Sequence, residues 1–207
     1  MNRTASIRIK GLDITFLKEN TVAIVLLILS VLSMLCGTLS LKNERITMLA
    51  AEEFKSFVVE RTNVTFFKAF LSSLIHTLKL PLVSFLCGTS VLGTVISPSV
   101  LLYAAFRYGY ISGYVYSVFG LSGIVFNLFV LILPTLILLF SLLVSARECV
   151  DFSKLIASLC IRQTRPVNLY NNFHTFCVRH LVLLFPIIIS ALADISLFNI
   201  FEKYFNF

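Results

Sequence analysis

Charged residues are few in this sequence and tryptophan is missing altogether. Asp, Glu, Lys and Arg make up 13% of 207 residues, against 58% hydrophobic residues. The mean hydropathy of +0.95 lies outside the range of water-soluble globular domains, which excludes a soluble fold. Charge is absent over whole stretches, residues 20–41, 80–106 and 108–146. Each is as long as one bilayer crossing or longer, since a helix needs about 20 apolar residues to span about 30 Å of hydrocarbon. These runs also lack the alternation of barrel strands, so helices are left to satisfy the backbone in lipid. The sequence therefore predicts an all-α integral membrane protein. Without Trp, any interfacial aromatic belt has to come from the 20 Phe and 7 Tyr residues.

Catalytic motifs are missing too. The chain has no H-E-x-x-H, no G-x-S-x-G and no G-x-x-x-x-G-K-[ST], so metalloprotease, serine hydrolase and nucleotidase readings find no support, and neither an enzymatic activity nor a cofactor is expected. His174-x2-Cys177-x2-His180 could share a helix face, but paired CxxC or HxxxH elements and a fourth ligand are lacking, so no metal site is expected. The net charge of +7 is spread over several segments rather than interleaved with aromatics on one face. Nucleic acid is thus not an expected partner, and the anionic head groups of the lipid bilayer are.

What is present divides into about five apolar helices. Their expected bounds are 21–41, 80–96, 99–119, 124–146 and 181–201, with Ser97-Pro98-Ser99 and Gly120–Gly123 as tight turns and a kink near Pro134. The N-terminal charges lead straight into the first helix without an A-x-A cleavage pattern, so this helix is read as uncleaved. Residues 42–79 alternate charge with Met48, Phe54, Phe57, Phe66, Phe67 and Phe70, the pattern of amphipathic helix at an interface. Asn63-Val64-Thr65 fits a glycosylation sequon and is read as a turn between two amphipathic helices. Residues 147–180 form a basic loop.

With the N-terminus inside, residues 1–20 and 147–180 hold nine Lys or Arg and the outer segments seven, a weak positive-inside bias. Cys149, Cys160 and Cys177 then fall in the cytoplasmic loop and none in the outer one, as reduced thiols would. Gly88, Gly93, Gly109 and Gly113 are expected at close helix packing. Arg107 and Asp194 are the full charges placed inside spans. Counted from the cytoplasmic ends they lie roughly 12 and 20 Å deep, so they either pair across the bundle or Arg107 snorkels to the inner face.

The order of these features resembles the stage II sporulation protein M family. An amphipathic run with Phe66, Phe67 and Phe70 leads into His76-Thr77-Leu78-Lys79, then Leu86-Cys87-Gly88-Thr89-Ser90-Val91-Leu92-Gly93, a helix with Gly109 and Gly113, a Leu133-Pro134 pair, and Ala191-Leu192-Ala193-Asp194-Ile195. Thr77 and Asp194 stand where that family usually has Asn and Glu. The resemblance implies a non-catalytic membrane scaffold, similar to the one that holds extracytoplasmic peptidoglycan hydrolases, a transglycosylase and an amidase/endopeptidase, at the septum during engulfment. The outer segment 42–79 would dock such a partner through Phe54, Phe57, Phe66 and Phe67, with self-association left open. The competing reading is a permease-like subunit, its basic loop meeting a cytoplasmic ATPase and Arg107 and Asp194 lining a path.

Overall fold

The computed structural model describes residues 20–62, 64–162 and 169–201, and among the described residues it contains helices and turns but no strand. Helix α1 is Thr21–Leu39, continued by a 3-10 turn at Ser40–Lys42. It is apolar on all sides, yet Ile28, Val31, Leu32 and Leu35 are more than half exposed, as suits a helix surrounded by lipid rather than protein. Its exposed hydroxyls bond back to the helix's own carbonyls, Ser30 to Leu27 and Thr38 to Leu35, while Ser33 donates to the Leu102 carbonyl of another helix at 2.8 Å, as polar groups in hydrocarbon require.

Helix α2, Glu44–Val59, is N-capped by Asn43, whose side chain accepts from the Arg45 amide at 3.0 Å. Helices α3 (Phe66–Gly88), α4 (Gly93–Phe126), α5 (Leu133–Arg162) and α6 (Leu169–Phe201) follow, with a π-helical stretch, Asn127–Ile132, between α4 and α5. Among the described residues, four helical runs are long and apolar enough to cross a membrane: Thr21–Lys42, Phe66–Gly88, Gly93–Cys160 and Leu169–Phe201. The third has 68 residues, about 100 Å of helix, far more than one crossing needs. It doubles back at Gly120, where φ 55° and ψ −130° suit only glycine, and Val115 and Phe126 from its two arms share one apolar cluster. The chain is a multi-pass membrane-embedded protein, and its described residues form five membrane-length arms.

These arms are stacked in layers. Cys149, Phe152 and Phe176 form a cluster at one end, Leu26, Leu101, Ala104, Leu138, Leu142 and Ile187 fill the middle, and Phe54, Val115, Phe126, Val130 and Phe198 close the other end. Along α6 the two end clusters are 22 residues apart, Phe176 to Phe198, about 33 Å. Helix α2 packs across the second end and supplies Phe54 to its core.

Several expected boundaries move. The second span is Phe66–Gly88 rather than 80–96, and the turn lies at residues 89–92 rather than at Ser97-Pro98-Ser99, which fall inside α4. The physical cause is a cap contributed from elsewhere: Ser153 of α5 donates to the Ser90 and Val91 carbonyls at 2.6 and 2.9 Å and accepts from the Thr94 amide at 3.2 Å. Those bonds satisfy the helix ends that a proline alone cannot close. The amphipathic segment contracts to α2, because residues 66–79 continue into the apolar part of α3. Most of the segment 147–180 is helix, through Arg162 and again from Leu169, with Cys149, Phe152 and Ser153 buried on one face while Asp151 and Lys154 are exposed on the other. Pro134 is preceded by the π-helical stretch, whose wider turn gives room to a ring that would otherwise crowd the carbonyl four residues back. The charged segment 1–19, Asn63 and Arg165 lie outside the described residues.

Candidate functional site: a charge-lined cavity beneath helix α2

Two charges of α2 and its C-terminal turn, Glu53 and Arg61, turn toward the bundle, whereas Glu44, Arg45, Glu52, Lys55 and Glu60 are exposed. Glu53, Phe57, Glu60 and Arg61 recur at helical spacing on one side of α2 and its C-terminal turn, and all line a cavity with about 140 Å³ of space. Helix α3 adds Ser73, His76 and Thr77, one face by their spacing; α4 adds Arg107, Tyr108, Ile111 and Ser112; the α5 start adds Pro134 and Thr135; α6 adds Ser190 and Asp194. The cavity therefore lies between the middle apolar layer and the aromatic end cluster.

Arg107 and Asp194 both line this cavity, but they do not pair with each other. Arg107 Nε donates to Glu53 Oε2 at 2.8 Å, and its two terminal nitrogens face His76 Nε2 at 3.3 Å. Asp194 Oδ2 accepts from Arg61 and from the Ser73 hydroxyl, the latter at 2.7 Å. In place of either a mutual bridge or a snorkelling Arg107, two bridges of opposite polarity form, each with one partner on α2 or its C-terminal turn. The reason is the inward packing of α2, which puts a carboxylate beside Arg107 and a guanidinium beside Asp194. Side-chain exposure is 9% and 12% for Arg61 and Asp194, against 23% and 28% for Arg107 and Glu53. Arg61 is held further by the Phe57 carbonyl at 2.9 Å and by stacking at 3.7 Å over the Phe57 ring. Ser190 donates to the Pro134 carbonyl at 2.8 Å, which ties α6 to the irregular start of α5.

The aromatic candidates separate into two groups. Phe54 is 6% exposed and meets Tyr114, Phe119 and Phe126 at ring separations of 5.7 to 6.2 Å. Phe57 packs edge-on to Phe198. Both belong to the core and are not free to meet a partner. Phe66 and Phe67 are 49% and 71% exposed.

The glycines sit at close approaches. A side chain at Gly109 would strike the Met34 carbonyl, and one at Gly37 the Phe106 carbonyl, so α1 and α4 touch backbone to backbone. Gly113 faces Thr38 and Leu41 of the same pair, and Gly88 lies against Cys149. Gly93 faces Cys87 and Gly88 across the short turn. Compared with protein-family models, curated proteins and solved structures, this chain matches none.

A second polar knot crosses the far end of the bundle. His180 Nε2 lies 3.1 Å from Ser145 Oγ and 3.5 Å from Cys149 Sγ, and Cys149 donates to the Ser84 carbonyl at 3.2 Å. His180 thus points into the bundle while His174 is exposed, and the H-x2-C-x2-H residues do not converge on one point. Glu53, Arg61, Ser73, Gly37 and Ser153 are the residues that sequence reasoning misses. The spacing of Glu53, Phe57, Glu60 and Arg61 was the available signal, since it puts charge on the same stripe as a large aromatic.

Proposed function

We propose that this chain is a non-catalytic membrane anchor that presents the α2–α3 connection to an extracytoplasmic protein partner, from the cell membrane and with its N-terminus in the cytoplasm. The observation that carries the reading is the fixing of α2. Two ion pairs and two core phenylalanines lock the helix and its C-terminal turn onto the bundle, and Phe66 and Phe67 project beside that fixed element. Rigid aromatic anchors are what a docking surface draws its energy from, whereas exposed charge pairs contribute little. The ordered features shared with the stage II sporulation protein M family give the partner its class, a peptidoglycan hydrolase.

A second reading, a permease-like subunit, draws support from the charge-lined cavity, because ionisable groups inside a membrane bundle mark pathways as often as they mark fixed structure. Five arms without a detectable inverted repeat offer little for alternating access, so we rank it second. Co-purification separates the two. Phe66→Ala with Phe67→Ala should abolish recovery of a co-expressed cell-wall hydrolase while protein level and membrane insertion stay unchanged, and Arg162→Ala with Arg165→Ala should leave recovery intact. The reverse pattern would sink the anchor reading in favour of a cytoplasmic partner.

A further inference from the structure

The hydroxyls that line the cavity are engaged, with one exception. Ser56 donates to Glu60, Ser73 to Asp194, Thr77 to the Ser73 carbonyl and Ser190 to the Pro134 carbonyl, at 2.7 to 3.2 Å, and Thr135 bonds Tyr108. The exception is Ser112. It is 5% exposed, lines the cavity, and has no hydrogen-bond partner among the described residues. A second donor in this lining is orphaned as well: Arg61 gives its terminal nitrogens to the Phe57 carbonyl and to Asp194, but its Nε is buried without an acceptor. Buried donors of this kind have given up hydration without return, so two of them at one cavity call for an oxygen acceptor brought from outside the chain. Both bonds to Asp194 fall on Oδ2, which leaves Oδ1 open to a donor on the same molecule.

Charge restricts what carries that oxygen. Glu53 is matched by Arg107 and Asp194 by Arg61, His76 meets Arg107 as an acceptor and adds no positive charge, and Glu60 is exposed. The buried walls are thus neutral, and an ion of either sign would lack a counter-charge at membrane depth. We propose that the cavity is a binding site for one small uncharged molecule that joins an oxygen acceptor to an N–H or O–H donor, the chemistry shared by primary amides and polyols. Its oxygen accepts from Ser112 and Arg61, and its donor meets Asp194 Oδ1. About 140 Å³ is more than a single water needs and takes about six non-hydrogen atoms, since a cavity of that size holds benzene. Phe57, Ile111 and Leu131 supply apolar wall, and apolar surface with a few polar groups that fix orientation is how small-molecule sites are built. The site requires neither the anchor nor the permease reading.

Saturation-transfer NMR on the full chain in detergent micelles tests it. Acetamide and glycerol are the two neutral probes, and acetate and acetamidinium are charged isosteres of the first. The expected result is saturable transfer to acetamide, to glycerol or to both, which also tells an amide site from a polyol site, with half-saturation at least tenfold weaker in Ser112→Ala. Arg61→Lys keeps a positive charge beside Asp194 and removes Nε; it is read in the same way and covers the case in which the first variant does not purify. Absence of saturable transfer to both neutral probes overturns the site and leaves the cavity to water only. So does a half-saturation unchanged in the variant, or acetate or acetamidinium binding as tightly as the neutral probe.

Discussion

Arg61 and Asp194 are nearly buried, and each is the other's only charged partner among the described residues. Breaking such a pair leaves one charge in a low-dielectric interior, a loss of about 3–5 kcal/mol, while replacing both by apolar residues is often neutral. Arg61→Leu and Asp194→Leu are therefore each expected to destabilise the protein in detergent unfolding by about that amount, and the double variant to recover most of it. The combination of Arg107→Leu with Asp194→Leu should show no such recovery, because those residues belong to different pairs. Recovery there, and not in the first cycle, would invalidate the assignment of partners. Glycine gives a second check at this scale. Gly109→Ala forces a methyl group against the Met34 backbone, which cannot rotate away as a side chain would. A loss of about 1–3 kcal/mol is expected. Gly120→Ala meets open space, so any loss there comes from its positive φ alone, about 1–3 kcal/mol.

Among the elements, α2 is where the sequence was least transparent. Its alternation of charge and phenylalanine reads equally well as a helix lying on head groups or one lying on protein, since both environments are apolar on one side and polar on the other. What decides is the complementary charge on distant helices, and a single sequence does not show which distant residues meet. The apolar arms were legible because hydrocarbon thickness fixes their length. Their ends were not, because the α3–α4 turn is closed by Ser153 from another helix. The Gly120 turn was legible, since the backbone reversal there needs a positive φ that glycine alone adopts readily. The inward packing of α2 separates its buried Phe54 from the exposed Phe67 at the start of α3 by stability: Phe54→Ala should cost about 3–5 kcal/mol, while Phe67→Ala should stay within about 0.5 kcal/mol. Equal effects at the two positions, measured by chemical unfolding, would contradict the placement of α2.

For the molecule as a whole, the thiols report both orientation and packing. Cys149 is fully buried, Cys160 is exposed and Cys177 is partly covered. With the α5–α6 end facing the cytoplasm, an impermeant maleimide should leave intact cells unlabelled, and permeabilised membranes should react fast at Cys160, slowly at Cys177 and not at Cys149. Labelling of Cys160 from outside would place this end of the bundle on the opposite face. Labelling of Cys149 without denaturant would mean that the far-end core is looser than its packing against Phe176 and Gly88 suggests.

The pairing of Arg61 with Asp194 spans 133 residues of chain, and this separation governs how the protein is made. A ribosome releases α2 long before α6, so for most of synthesis the guanidinium has no carboxylate to meet and the nascent α2 is better solvated at the bilayer surface. Only when α6 inserts can α2 settle across the end of the bundle and pair Arg61 with Asp194. Insertion of α6 is thereby coupled to closure of the fold, and a product truncated before α6 carries a visible mark, a loose amphipathic helix with its inward charges unpaired, that membrane proteases can find.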